Sequence, residues 1–175
     1  ETMNCDAIIS ECGTYRYLLQ RSWNVRLKAV CFVMLNPSTA NAQVDDPTIR
    51  RCLGFAKRLG FGQLEVVNLF ALRATDPAKV RKHQDPVGPE NDEHILTAVH
   101  VCDMTICAWG GNGGYKDRDT AVLRLLRDNG IVPHALRISK NGCPAHPLYL
   151  PYSLQPFDLS RKEKARDWLH CCAYC

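Results

Sequence analysis

The sequence has no apolar segment long enough to cross a membrane. No apolar run approaches the ~20 residues that a spanning helix needs, and no signal-peptide pattern opens the chain. Its 46% hydrophobic and 23% charged residues are average for a globular protein, and 175 residues are enough for one domain with a core. We therefore expect a cytoplasmic protein in which residues 1–175 form a single domain, with residues 1–14 and 160–175 as peripheral tails or helix.

Several motifs of common enzyme classes are also missing. The glycine-rich segment 110–114 has neither the Lys-Ser/Thr pair of a P-loop nor the spacing of a dinucleotide fingerprint. There is no Gly-x-Ser-x-Gly elbow of a serine hydrolase, and no clustered set of His and Asp that would hold a catalytic metal. We therefore expect an activity that needs no cofactor and no metal ligand.

Cysteine, by contrast, is abundant, with ten residues. In a secreted protein this number would suggest disulfides, but nothing in the sequence indicates export. Four of the cysteines fall at apolar positions, where cysteine behaves as a small hydrophobe: Cys31, Cys52, Cys102 and Cys107. We expect reduced thiols. The alternative is a structural metal or iron–sulfur cluster on Cys171, Cys172 and Cys175, completed by Cys5, Cys12 or His170.

Four short apolar runs predict the strands of a sheet, at residues 29–35, 64–69, 104–109 and 135–138. Helical patterns alternate with them at 47–60, 90–101 and 117–128. Residues 15–26 resemble a hairpin or edge element, and 73–90 a long polar loop. The order β-α-β-α-β-α-β predicts an α/β fold, namely a three-layer α/β/α sandwich with a central parallel four-stranded sheet.

Polar signatures follow or terminate these strands. Asn36 follows the first strand, Asn68 ends the second, Trp109-Gly110 ends the third, and His146 follows the fourth. The carboxyl ends of parallel strands meet at one edge of a sheet, where ligands bind. We therefore expect these residues to lie in one cleft.

The set suits cleavage of a carbon–nitrogen bond to a sugar, which passes through an oxocarbenium-like transition state. Asn36, with either Asp45 or Asp46, would place the attacking water. Asn68 would read the edge of the base, since a buried amide needs a partner, and His146 would stabilise the departing base. Ordinary structural roles remain open for each, such as a turn at Asn36, a helix cap at Asp46 or a surface histidine.

Leu35-Asn36-Pro37, the strand ending in Asn68, Ala108-Trp109-Gly110 and His146-Pro147-Leu148 resemble the uracil-DNA glycosylase superfamily. That resemblance implies that Asn36 positions water, that Asn68 pairs with a flipped base, and that the last motif supplies His146 and a leucine, Leu148, that wedges into the duplex. We assign to substrate binding Pro37, Ser38, Asn68, Phe70, Trp109 and Gly110.

The fuller pattern over residues 15–150 resembles an uncharacterised family of bacterial and phage proteins. Some relatives of this kind look like anti-phage DNA glycosylases that excise glucosylated hydroxymethylcytosine. The superfamily's Gly-Gln-Asp-Pro-Tyr is absent, and Ser38-Thr39-Ala40 stands where a tyrosine would shield the pocket. Leu148 replaces the serine of its His-Pro-Ser motif. These departures argue for a base larger than uracil.

The net charge of +4 does not by itself indicate nucleic-acid binding. Basic residues are concentrated at 50–58 and 73–83, either as solvated faces or as a phosphate-contacting surface. On the second interpretation we assign to DNA binding Arg73, Lys79, Arg81, Lys82, Lys140 and Leu148. The sequence thus predicts a monomeric, monofunctional DNA glycosylase acting on modified pyrimidines in double-stranded DNA. The alternatives are a nucleosidase for free modified nucleotides and a non-catalytic binder of modified bases.

Overall fold

A seven-stranded mixed sheet forms the centre of the protein, in a computed structural model that describes residues 3–161. The strands are β1 (Asn4–Ile9), β2 (Arg16–Ser22), β3 (Ala29–Met34), β4 (Gln63–Asn68), β5 (Met104–Cys107), β6 (Pro133–Ala135) and β7 (Phe157–Asp158). They lie in the order β1-β2-β4-β3-β5-β6-β7. The cysteines at 171–175, with their alternative as metal or cluster ligands, lie outside the described residues.

The sheet differs from the predicted one in strand number and direction. Strands β4, β3, β5 and β6 are neighbours that pair in parallel, but β1, β2 and β7 pair antiparallel with their neighbours. A sheet of four parallel strands is therefore wrong for the whole, which is a mixed sheet. The reason is local: β1 and β2 are joined by a turn at 10–15 and form an antiparallel pair, and β2 then pairs with the edge of β4.

Within residues 3–161 the chain forms four α-helices: α1 (Pro47–Arg58), α2 (Pro77–Lys82), α3 (Asn91–Val101) and α4 (Arg118–Asp128). None of these helices is both long and apolar enough to cross a membrane. The prediction of a loop over 73–90 missed α2, whose start has ordinary helix signals. Asp76 accepts a hydrogen bond from the Ala78 amide at 2.8 Å, and a proline follows it at the first helical position.

Helix α1 begins as its sequence predicts. The Asp46 carboxylate accepts a hydrogen bond from the Ile49 amide at 2.9 Å, and Pro47 occupies the first turn. The helix is followed by Gly60, whose φ of +84° is a conformation that favours glycine. The cap fixes the start of the helix, and with it the position of Asp46 beside the strand ends.

Strand β3 is buried on both faces. Val30, Phe32 and Met34 pack with residues of α1, whereas Cys31 and Val33 pack with residues of α3 and α4 on the opposite face. Helices therefore cover both faces of the central strands. A strand that is covered on both sides can offer polar groups to a ligand only at its ends, so the fold directs attention to the carboxyl edge of β3, β4 and β5.

A substitution at Gly62 tests the packing of the segment that leads into β3. A Cβ at this position would lie 2.0 Å from the carbonyl oxygen of Asn24. We expect Gly62→Ala to lower the free energy of unfolding by about 1–3 kcal/mol, the usual cost of overpacking. In the matched control Gly111→Ala, the new Cβ meets no heavy atom within 4 Å. Urea denaturation of both variants measures the difference, and equal stabilities would contradict the packing described here.

Candidate active site

A cleft of about 420 Å³ lies at the carboxyl edge of the central strands. Eight of the sequence-predicted site residues line it: Asn36, Ser38, Asp46, Asn68, Trp109, Gly110, His146 and Leu148. The register of the sheet explains the gathering, because Met34 at the end of β3 stands opposite Asn68 at the end of β4. Residues just beyond one parallel strand thus lie beside the last residues of the next.

Three of the residues predicted for catalysis or substrate binding lie outside this lining. Asp45 forms an ion pair with the buried Arg21 at 2.8 Å. Pro37 is buried and offers its carbonyl oxygen to the Ala74 amide at 2.8 Å. Phe70 packs in the core on the side of α3 and α4. Between the two adjacent aspartates, the geometry places Asp46 alone against the cleft.

Asn68 is buried, with 1% of its surface exposed, and it lines the cleft. Its side-chain nitrogen Nδ2 has no hydrogen-bond partner among the described residues. A buried donor without a partner costs roughly 1–3 kcal/mol. Its backbone carbonyl is by contrast satisfied, by the side chain of Asn91 at 3.0 Å. A ligand acceptor in the cleft would remove the penalty at Nδ2.

The amide of Asn36 has a fixed orientation. Its Nδ2 donates hydrogen bonds to the carbonyl oxygens of Ala74 at 2.8 Å and Pro37 at 3.0 Å. Both bonds use the nitrogen, so Oδ1 is the atom that remains to accept a hydrogen bond. An accepting oxygen in the same cleft as the Asp46 carboxylate is a suitable arrangement for holding a water molecule.

The surroundings of His146 favour the neutral form of its imidazole. Burial lowers the pKa of its imidazole below the usual value, and the Asp46 charge opposes that shift only in part. Its Nδ1 accepts a hydrogen bond from the Leu148 amide at 3.2 Å, so the proton of the neutral ring is on Nε2. Gly110, with φ of +77°, lies directly beside His146, since a Cβ on this glycine would be 3.4 Å from the Cβ of the histidine.

Arg16 was not predicted as a site residue, yet it lines the cleft with only 2% of its surface exposed. Its Nη1 donates to the Ala40 carbonyl oxygen at 2.7 Å. Burial lowers the pKa of the guanidinium to about 10, against the favourable charge of Asp46, so it is positively charged at neutral pH. The available signal in the sequence was an arginine between apolar residues, in Tyr15-Arg16-Tyr17-Leu18-Leu19, since arginine is almost never fully buried unless it is paired.

Arg51 is a second residue that the sequence did not reveal, and it holds the His146 loop against α1. Its Nε donates to the Pro147 carbonyl oxygen at 3.2 Å and its Nη2 to that of Leu150. The guanidinium also lies 3.7 Å from the centroid of the Tyr152 ring. Tyr152 can approach this closely because Gly54 has no side chain.

The residues predicted to bind DNA are distributed unevenly. Arg81 donates to the side chain of Asn112 at 3.1 Å, and Asn112 lines the cleft. Lys79 and Lys82 are exposed on the same short helix, α2. Arg73 instead donates to the Gly13 carbonyl oxygen at 3.1 Å.

Lys140 is exposed in the turn between Ile138 and Pro144, which pair in an isolated bridge. The strand predicted at 135–138 is found earlier in the chain, as β6 at Pro133–Ala135.

Within residues 3–161, no group of three or more His, Cys, Asp or Glu side chains is placed to hold a metal ion.

A conservative substitution tests the role of Arg51. Lysine keeps the charge but cannot donate to two carbonyls in a fixed fork or stack in the same way. We expect Arg51→Lys to lower the free energy of unfolding by about 1–3 kcal/mol, because charged hydrogen bonds of this kind are lost. The control is Arg58→Lys at an exposed position of the same helix. Chemical denaturation that gives the same stability for both would show that Arg51 does not anchor the loop.

Comparison with known proteins gives one relationship. No curated protein and no solved structure matches the chain. A family model described as "Protein of unknown function (DUF1643)" matches residues 16–148, which is more than half of the sequence. Every residue that lines the cleft lies within that span, from Arg16 to Leu148. The chain therefore belongs to the DUF1643 family.

Proposed function

We propose that this protein is a DNA glycosylase that hydrolyses the N-glycosidic bond of a modified pyrimidine and leaves an abasic site. The observation that carries the proposal is the unpaired amide nitrogen of Asn68, buried in a cleft that Asn36, Asp46 and His146 also line. A donor that is built into the protein without a partner suits the edge of a base that arrives from outside. A base in a duplex reaches such a cleft by flipping out of the stack.

The groups of the cleft divide the reaction among them. The Oδ1 atom of Asn36 and the Asp46 carboxylate hold the water, and Asp46 takes its proton as the oxygen attacks C1′ of the sugar. The C1′–N1 bond breaks and its electron pair leaves with the base. The Nε2–H of neutral His146 donates a hydrogen bond to that base as negative charge develops on it. General base assistance of this type contributes typically 10²–10⁴-fold to the rate.

The size and polarity of the cleft support an enlarged base. A volume of about 420 Å³ falls within the range of pockets that hold complete small-molecule ligands. Ser38, Thr48, Thr75 and Asn112 add hydroxyl and amide groups to its walls. Such groups bind sugar hydroxyls well. Our specific proposal for the substrate is therefore glucosylated hydroxymethylcytosine in phage DNA.

The resemblance to the uracil-DNA glycosylase superfamily is part of the same proposal. The four parallel central strands, with helices on both faces, support an α/β/α layering of that kind. The double-stranded DNA partner is supported by Arg81, which contacts the cleft residue Asn112, and by the exposed Lys79 and Lys82 of the same helix. A cytoplasmic monomer fits an enzyme that meets phage DNA during infection.

A panel of substrates tests the reaction. Duplexes containing glucosylated hydroxymethylcytosine, hydroxymethylcytosine, cytosine or uracil are incubated with the protein, and abasic sites are quantified beside the release of base from the corresponding free nucleosides. We expect abasic sites in the glucosylated duplex and little release from nucleosides. If no duplex acquires abasic sites, the glycosylase proposal is wrong. Faster cleavage of the free nucleosides would instead establish the nucleosidase alternative.

Substitutions separate recognition from chemistry. We expect Asn68→Ala to weaken both equilibrium binding of substrate DNA and single-turnover cleavage, because its amide contacts the base in the ground state and in the transition state. Asp46→Asn should slow cleavage by roughly 10²–10⁴-fold with nearly unchanged binding. Asparagine caps a helix about as well as aspartate, so this variant removes the charge and keeps α1 in place.

The matched variant is Asp45→Asn at the adjacent position, which loses an ion pair with Arg21 outside the cleft. Its cleavage rate should change far less than that of Asp46→Asn. If the two aspartate variants lose rate equally, Asp46 is not the group that takes the proton. If Asn68→Ala and Asp46→Asn reduce binding and cleavage in parallel, the cleft is a binding pocket and the non-catalytic binder is favoured.

A further inference from the structure

The unpaired polar atoms in the cleft are all of one kind. Among the residues that line it, Arg16 and Asn68 each hold a buried side-chain N–H donor without a hydrogen-bond partner, at Nε and at Nδ2 respectively. Because every unpaired buried donor carries a cost, a ligand that relieves both presents hydrogen-bond acceptors to them.

Of these two residues, Arg16 sets the more specific requirement on the ligand. Within residues 3–161, its side chain makes one hydrogen bond, from Nη1 to the Ala40 carbonyl oxygen at 2.7 Å. The edge formed by Nε and Nη2 has no hydrogen-bond acceptor among the described residues. This edge of arginine makes two parallel hydrogen bonds to two neighbouring acceptor atoms.

The negative charge of Asp46 limits which chemical group can supply the two acceptors. Asp46 lines the same cleft as Arg16 and carries negative charge close enough to act on it. A phosphate dianion would be repelled by that carboxylate. A neutral group with two adjacent acceptors satisfies the guanidinium edge without this repulsion.

A cytosine-type base has such a pair in O2 and N3, which are adjacent unprotonated acceptors. A uracil- or thymine-type base has an N–H at N3, which would face the N–H groups of the arginine. We propose that Arg16 binds the O2–N3 edge of a cytosine-type base and selects it over uracil-type bases. The proposal rests on the glycosylase function and deepens it by naming the residue that selects the cytosine-type base.

The same contact assists the reaction. As the C1′–N1 bond breaks, its electron pair spreads over N1, O2 and N3 of the base, and the cation on O2 and N3 stabilises that charge. N1 of the departing base then takes up a proton. The proton comes either from Asp46, which received one from the attacking water, or from solvent. A cytosine-type anion is more basic than a uracil-type anion and is a poorer leaving group. A neutral His146 supplies a hydrogen bond but no positive charge. The positive charge that stabilises the departing base comes from Arg16.

The contact is measured first without catalysis. The complete ¹⁵N-labelled protein is titrated with free cytosine, with uracil and with inorganic phosphate, while the Nε–Hε resonance of Arg16 is followed. Its absence from the spectrum of Arg16→Lys identifies that resonance. We expect cytosine to shift it with an affinity roughly ten-fold or more above that for uracil. An Arg16 resonance that does not move with cytosine, or that responds equally to uracil or to phosphate, overturns the proposal.

The kinetic experiment compares Arg16→Gln and Arg16→Lys with Arg26→Gln. This control also removes one positive charge, at an exposed position in the turn between β2 and β3. We expect Arg16→Gln to slow single-turnover cleavage of a modified-cytosine duplex by roughly 10²–10³-fold, with partial recovery in Arg16→Lys. The loss of cleavage rate should be greater for cytosine-type bases than for uracil-type bases that carry the same substituent. An equal loss for both types, or an unchanged rate, shows that Arg16 does not contact the departing base.

The two proposals fail in different ways. If the unaltered protein cleaves no duplex, the glycosylase function is wrong, and the titration still decides whether Arg16 binds a cytosine edge. Suppose instead that the protein cleaves DNA, but cytosine does not shift the Arg16 resonance and Arg16→Gln slows cleavage equally for both base types. The glycosylase function then stands, and the inference about Arg16 is wrong. Thermal unfolding of Arg16→Gln checks that this variant is folded. If it is not folded, the rates of Arg16→Lys are used in its place.

Discussion

The parallel pairing of β3 with β4 determines where the groups of the cleft lie. With Met34 opposite Asn68, the segment that follows β3 carries Asn36 beside the end of β4. The adjacent pairing of β3 with β5 brings Trp109 and Gly110 to the same edge. Helix α1 begins at this edge because its cap is Asp46, which also faces the cleft. A slip of this register would separate the amides, the carboxylate and the imidazole.

Polar groups without partners accompany this arrangement. The amide of Asn68 and the guanidinium of Arg16 are almost completely buried. Their desolvation opposes folding, and the apolar packing on both faces of the sheet offsets it. Asp46 combines two roles, since one carboxylate oxygen caps α1 while the group as a whole interacts electrostatically with Arg16 and His146. Stability and the proposed chemistry thus draw on the same few residues.

Local patterns in the sequence predicted the parts of this structure that depend on neighbouring residues. The buried run of β3, the cap and proline of α1, and the amide at the end of β4 are all visible within a few positions. The residues that were missed act over long separations. Arg51 reaches Leu150 across 99 positions and Arg16 reaches Ala40 across 24. Strand β1 was missed because its pairing with β2 depends on tertiary context, which single-sequence patterns do not contain.

The most direct test of the account is a crystal structure with DNA that contains the modified cytosine on a 2′-fluorinated sugar, which resists cleavage because fluorine destabilises the oxocarbenium-like transition state. The account predicts a flipped base in the cleft, with its edge within about 2.7–3.2 Å of Nδ2 of Asn68. It also predicts the anomeric carbon facing Asn36 and Asp46. A base that stays stacked in the duplex, or one that binds with its edge away from Asn68, would contradict the central claim.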